Sequence, residues 1–179
     1  DTAQEVIERF SVRHFIYSAY EPLEEIPFAH QVVCLPFQGG MQFECNKYPF
    51  YCLGPQEEGT SSNANSLVFQ VTLENQTFLF TGDIEEKQEK GLLNTYGSAL
   101  ASDVLKVAHH GSMTSSSETF LACVRPKISV VSVGKNQYGF PSAVILERLK
   151  RYGTVYTTKE NGNITFLFQN NRWQVQVYR

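Results

Sequence analysis

Residues 66–83, SLVFQVTLENQTFLFTGD, constrain the fold more than any other stretch of the chain. Leu67, Phe69, Val71 and Leu73 recur at the period of a strand with one face in the core, and Phe78–Phe80 form the centre of a second strand, so the segment reads as a β-hairpin. Beyond the hairpin the rhythm changes. A helix is predicted just after Asp83, and the apolar run in DVLKVAHHG is a further strand. A helix capped by Ser115, with Glu118 at its third position, must end before Pro126. KISVVSV is a buried strand, and SAVILERLKRYG is an amphipathic helix with Ile145, Leu149 and Tyr152 inward and Gly153 as its stop. The chain closes on a meander with turns at Asn161-Gly162 and Asn170-Asn171.

Before the hairpin the pattern is thinner. DTAQEVIERFSV predicts a short helix with Thr2 as N-cap, Glu5 three residues on, and Val6, Ile7 and Phe10 on one face. Strands are expected at about Phe15–Ala19, near Val32–Leu35 and at Pro49–Leu53, with a loop over Gly54–Asn65. Hairpins mixed with helical crossovers imply a layered α/β sandwich rather than a purely doubly wound sheet, and a chain of 179 residues suits one domain over 1–179. No apolar run is long enough to span a bilayer, and no signal peptide opens the sequence.

Net charge is −3, but residues 1–90 carry 14 acids against 5 bases, and 91–179 carry 4 against 10. The excess of base in the second half, spread over Lys106, Arg125, Lys127, Lys135, Arg148, Lys150 and Arg151, permits a polyanionic partner bound weakly and in a salt-sensitive way; a scattered, solvated surface is the plainer alternative. Cys34, Cys45, Cys52 and Cys123 follow no metal-type spacing, and they read as free thiols, with a Cys45–Cys52 disulfide as the alternative.

Two strands end on polar clusters, FLFTGD on Asp83 and VLKVAHHGS on His109 and His110. Carboxylate oxygen and imidazole nitrogen are ligands suited to Zn²⁺ or Mn²⁺, and a sheet that holds them at adjacent strand ends leaves little to order when metal binds. A shared sheet should therefore bring Asp83 to the histidine pair. Gly111 would allow close approach, and Ser112 would orient the imidazoles from behind. Each residue also has a structural reading: Asp83 with Glu86 makes a helix cap, and the serines are loop and cap. On an extended strand the two imidazoles would point to opposite sides, so only one of them would reach an ion.

SNANSLVFQVTLENQTFLFTGDIE, then SDVLKVAHHGSMTSSSETFL, then VRPKISVVSVGKNQYGFPS, in that order, resemble the metallo-β-lactamase-like domain of the ComEC family. The likeness runs from about Asn63 to Thr158. It implies an αββα sandwich and a Zn- or Mn-dependent hydrolase or nuclease, in which Asp83 can bridge two metals and one of His109 and His110 is a further ligand. It implies natural competence and DNA uptake (transformation) as the setting and DNA, single- or double-stranded, as a partner, with Lys106, Lys135 and Tyr138 as substrate contacts. The membrane-embedded remainder of the channel and other competence proteins would be further partners. A bacterial cell membrane protein is implied, with this domain on the outer face. The superfamily's H-x-[HD]-x-D-H cluster is absent from the chain, which begins about where that motif would end, so the N-terminal strands of the fold are expected to be missing. Asn63 lies near the position of a ligand histidine in many members, and Phe140 stands where N-x-Y-G-H-P-S has histidine. The expectation is a degenerate or incomplete metal site, down to one that binds no metal; an active DNA phosphodiesterase degrading the non-imported strand is the alternative, and a small-molecule hydrolase on the same fold a third.

Overall fold

The computed structural model describes residues 2–179. The hairpin pairs β5 (Val68–Leu73) with β6 (Gln76–Phe80), Phe69 opposite Phe80 and Leu73 opposite Gln76. These two strands form the middle of a seven-stranded sheet. On one side β5 pairs antiparallel with β4 (Tyr48–Gly54), which pairs antiparallel with β3 (Gln42–Cys45). On the other, β6 runs parallel to β7 (Val104–Lys106), then β8 (Ile128–Val131), then β9 (Thr154–Thr157). Parallel neighbours cannot be joined by a tight turn, so helices α2 (Glu86–Tyr96), α3 (Glu118–Val124) and α4 (Ala143–Lys150) carry the chain back each time.

The two faces of the sheet are covered differently. Leu79, Leu105 and Val131 look toward the helices, where Leu92, Phe120, Leu121, Ile145 and Leu149 complete the larger core. Val71, Phe78 and Val104 look the other way and meet Phe166 and Trp173. Those two come from a hairpin of β10 (Asn163–Gln169) and β11 (Arg172–Tyr178), a separate two-stranded sheet. A second separate pair, β1 (His14–Ser18) parallel to β2 (Val33–Phe37), reaches the sheet through Phe37 against Phe43 and Phe69. Phe69 and Val71 share a face by the strand period, so both pairs form one broken layer opposite the helices. The layered α/β class expected from the sequence is the observed one.

Several local expectations are corrected. Helix α1 (Thr2–Arg9) forms, but Val6 and Phe10 are exposed and Ile7 alone of the three is half-buried. The cap assigned to Thr2 rests on a side chain outside the described residues. Strand β3 was not expected; QFEC is short, polar and at the sheet edge, where period-2 patterning is weakest. Helix α4 ends at Lys150, and Gly153 is not its left-handed stop: a Cβ there would lie 2.0 Å from the Lys127 carbonyl oxygen, so glycine is required by the approach of another strand. Asn170 and Asn171 do make a two-residue turn at φ 51 and 61°. Asn161 instead ends a single helical turn, α5 (Thr158–Asn161), and only Gly162 has positive φ, so β9 and β10 belong to different sheets. The cysteines are all free. Burial pushes the Cys52 thiol up to about 11 and leaves it an inert core group.

Candidate metal-type site at the carboxyl ends of the parallel strands

Three loops gather where the parallel strands end: Thr81–Glu85 after β6, Val107–Ser117 after β7 and Ser132–Ser142 after β8. In open α/β sheets this edge is where sites are built. Asp83 comes from the first loop, His109 and His110 from the second, and Asn136, Tyr138 and Phe140 from the third; all six line one open recess of about 390 Å³.

Asp83 is not a helix cap. The cap of α2 is Glu85, whose carboxylate accepts from the third helical N–H while the Gln88 side chain accepts from the Glu85 N–H, a reciprocal capping box. That leaves the Asp83 carboxylate unspent. Its own N–H donates to Ser66 Oγ at 3.0 Å, which pins the turn. Its Oδ2 lies 3.6 Å from His110 Nε2, and Oδ1 lies 3.9 Å from Lys106 Nζ. Lys106 also donates to the Gly82 carbonyl at 3.2 Å, and burial lowers its pKa against the opposing pull of Asp83.

The histidines do not lie on an extended strand. His109 and His110 have φ 46 and 54°, and Gly111 follows at φ 80°, three left-handed residues in succession. Each non-glycine residue held there costs about 1–2 kcal/mol. Gly111 has a second reason to be glycine, since a Cβ would lie 2.7 Å from Pro141 Cβ. The expected divergence of the two rings to opposite sides of a strand is not observed: their centroids are 6.5 Å apart, edge-on, and both line the recess. His110 Nδ1 is 2.7 Å from the Ser132 carbonyl oxygen, which can only accept, so the Nδ1 proton is fixed and Nε2 is the nitrogen presented to Asp83. His109 turns away: its Nδ1 lies 3.6 Å from Glu85 Oε1 and 3.4 Å from Thr114 Oγ1, and its ring meets Phe140 edge-on at 5.6 Å.

Ser112 is buried and touches neither imidazole ring; its hydroxyl lies 3.1 Å from that of Thr114, which in turn reaches His109, and its N–H donates to the His109 carbonyl. Ser115 is not the cap of α3 either. Ser117 is, accepting from the Phe120 N–H, while buried Ser115 shares its hydroxyl proton between the carbonyls of Ala108 and Ser112. The serine run is thus an internal brace. Buried Glu89 on α2 completes it by accepting from the N–H groups of Ser116 and Ser117. Asn63 lies in the loop packed beside Ser66 and is not part of the recess lining, and Lys135 is exposed next to Asn136. Glu85, Glu89, Thr114 and the Ser132 carbonyl were not foreseen; the capping-box spacing from Glu85 to Gln88 was the only one of these visible in the sequence.

Residues 58–135 match the metallo-beta-lactamase superfamily. The chain is 35% identical over 132 residues to ComE operon protein 3 of Bacillus subtilis (strain 168), covering 72% of this chain and 17% of that protein. It is 38% identical over 133 residues to Recombination protein 2 of Haemophilus influenzae, covering 73% and 16%. Competence protein ComA of Neisseria gonorrhoeae is 39% identical over 106 residues, covering 58% and 15%. The chain belongs to the ComEC-type metallo-β-lactamase-like domains. It spans about a sixth of the length of these curated relatives.

Membership of this ComEC-type group implies metal, and the donors can be tested against it. Two ligands about 2.0–2.1 Å from a tetrahedral ion lie about 3.4 Å apart, so Asp83 Oδ2 and His110 Nε2, 3.6 Å apart, suit two corners of one shell. The fixed Nδ1 proton of His110 is the orienting hydrogen bond that a metal-bound histidine needs. A third donor is missing: among the described residues no three His, Cys, Asp or Glu side chains converge. His109 turns its Nδ1 toward Glu85 and Thr114, and Phe140 offers only a ring. The described residues therefore supply two corners and do not fit a catalytic ion, which takes three protein ligands.

Proposed function

We propose that this chain is a DNA-handling domain of a ComEC-type competence protein, acting in DNA uptake, with an incomplete metal site. The Asp83–His110 pair supports the reading most directly: a carboxylate and a tautomer-fixed imidazole face each other at 3.6 Å, with Lys106 as the neighbouring cation and no convergent third ligand among the described residues. DNA would be held as a ligand, and no cleavage step is assigned. The 179 residues act as one domain on the outer face of the bacterial membrane, docked to the membrane-embedded channel and to other competence proteins; no helix among the described residues is long and apolar enough to cross a membrane.

The test is elemental analysis of the purified chain beside a DNA cleavage assay. Sub-stoichiometric zinc and manganese with no cleavage is the expected result. Near-stoichiometric metal, with cleavage abolished by Asp83→Ala, overturns it in favour of the second reading, an active metal-dependent nuclease. One observation favours that second reading. His110 is already oriented as a ligand, with Nδ1 bonded to Ser132 and Nε2 free toward Asp83.

A further inference from the structure

Beside the Asp83–His110 pair, the loop after β8 presents two aromatic rings in an unusual state. Tyr138 is 80% exposed, yet its loop is not loose. Asn136 ties it in four places: its Oδ1 accepts from the N–H groups of Tyr138 and Phe140 at 3.1 and 3.0 Å, and its Nδ2 donates to the carbonyls of Gly134 and Phe140 at 3.0 and 2.9 Å. One face of Tyr138 lies on Phe140, centroids 5.7 Å apart and planes 26° from parallel. Phe140 in turn meets the His109 ring. The chain therefore holds a large ring in water on a braced loop, supported from behind by a relay of rings, with its outer face open. Core packing does not require this, and exposure of a phenol ring costs apolar burial.

The charge around the loop narrows the occupant. Of the ten basic residues in the second half, five are spent on internal ion pairs: Lys106 with Asp83, Lys127 with Asp103, Arg148 and Arg151 with Glu118, and Lys150 with Glu147. Among the described residues of that half Arg125, Lys135, Lys159, Arg172 and Arg179 form no ion pair, and of these Lys135 is three residues from Tyr138 on the same loop. A flat ring with an open face, a recess of about 390 Å³ and, three residues away in the same loop, a lysine without an ion pair match a nucleobase carrying its phosphate. In a duplex the faces of the bases are already stacked on one another, so the platform suits an unpaired base.

Resting on the DNA-handling reading above, we infer that Tyr138, backed by Phe140 and with Lys135 three residues before it in the loop, is a stacking platform for an unpaired nucleobase of single-stranded DNA. Base stacking on an aromatic side chain is sequence-tolerant, and its removal weakens binding about 5- to 150-fold per base.

The experiment measures binding of a fluorescent dT oligonucleotide, and of the same strand carrying abasic sites, to the 179-residue chain. Tyr138→Ala is expected to weaken dT binding at least about 5-fold, Tyr138→Trp to preserve it, and abasic strands to bind the wild type as weakly as dT binds Tyr138→Ala. Lys135→Ala should flatten the salt dependence without removing the preference for dT over abasic DNA. Tyr138 is exposed, so loss of fold does not explain a weakened Ala variant; an unchanged urea midpoint verifies this. Equal binding of dT and abasic strands, with Tyr138→Ala unaffected, overturns the platform and leaves DNA handling standing. No binding of any DNA by the wild type overturns both.

Discussion

The two halves of the seven-stranded sheet are built from similar strands and joined in opposite ways. In the antiparallel half, β3 to β4 and β5 to β6 are closed by two-residue turns, Asn46-Lys47 and Glu74-Asn75, all four residues at positive φ between 44 and 69°. Such turns match the twist of the strands and leave no chain to spare; only β4 to β5 is joined by a longer loop, residues 55–67, and its Ser66 braces Asp83. In the parallel half every connection must cross back over the sheet, and each strand releases a loop of several residues at the same edge before its helix begins. Asp83, His110 and Tyr138 all lie in those loops. Chemistry collects there because parallel pairing forces spare chain into one place, and the cost is that those loops need support from beneath.

That support gives the largest expected effect. Glu89 is fully buried, burial raises its carboxyl pKa, and its oxygens receive the Ser116 and Ser117 N–H groups under the histidine loop. Glu89→Ala leaves both donors unpaired in the core and should cost about 3 kcal/mol in urea unfolding. It should also weaken whatever the His110–Tyr138 recess binds. A loss under about 1 kcal/mol would show that the serine loop stands without its brace.

Gly111→Ala comes next. The alanine meets a left-handed φ of 80° and an approach of 2.7 Å to Pro141, and about 2 kcal/mol is expected. The matching change in the antiparallel half is Asn75→Gly, at φ 63° in the β5–β6 turn. Asparagine already tolerates that conformation, so the change should stay within about 0.5 kcal/mol in the same unfolding assay. If the two substitutions cost the same, the contrast between a loop held by close packing and an open turn fails.

The same contrast explains what the sequence disclosed. Alternation at Leu67–Leu73 and the apolar runs at Val104 and Ile128 are properties of strands, repeated over several residues, and they place β5 to β8 and the meeting of Asp83 with the histidine pair. Caps depend on one residue and one dihedral angle. Asp83 and Glu85, or Ser115 and Ser117, are equally good candidates until the turn is built, and in both places the later residue caps the helix. The left-handed turn at His109 and His110 has no periodic signature at all, and the bond from His110 to the Ser132 carbonyl joins loops 22 residues apart. The basic excess was visible in the second half, whereas its neutralisation by Glu118, Glu147 and Asp103 was not, because ion pairing depends on where helices and strands come to rest.

The smallest effect expected lies at the site itself. Burial lowers the pKa of Lys106, and the charge of Asp83 opposes this only in part. The folded chain thus binds this proton less tightly than the unfolded chain. Stability from this group must then rise as pH increases from the folded value toward the ordinary lysine value of 10.5, since the unfolded state binds more protons throughout that window. Comparing urea midpoints of the wild type and Lys106→Met across alkaline pH isolates the contribution: the wild type should gain on the variant as pH rises. Asp83→Asn removes the opposing charge, lowers the folded value further and should widen the window over which the gain appears. An Asp83→Asn curve that overlays the wild type would show that the carboxylate, 3.9 Å away, does not act on the lysine. The cation beside the Asp83–His110 pair would then have to be sought elsewhere in the parallel half.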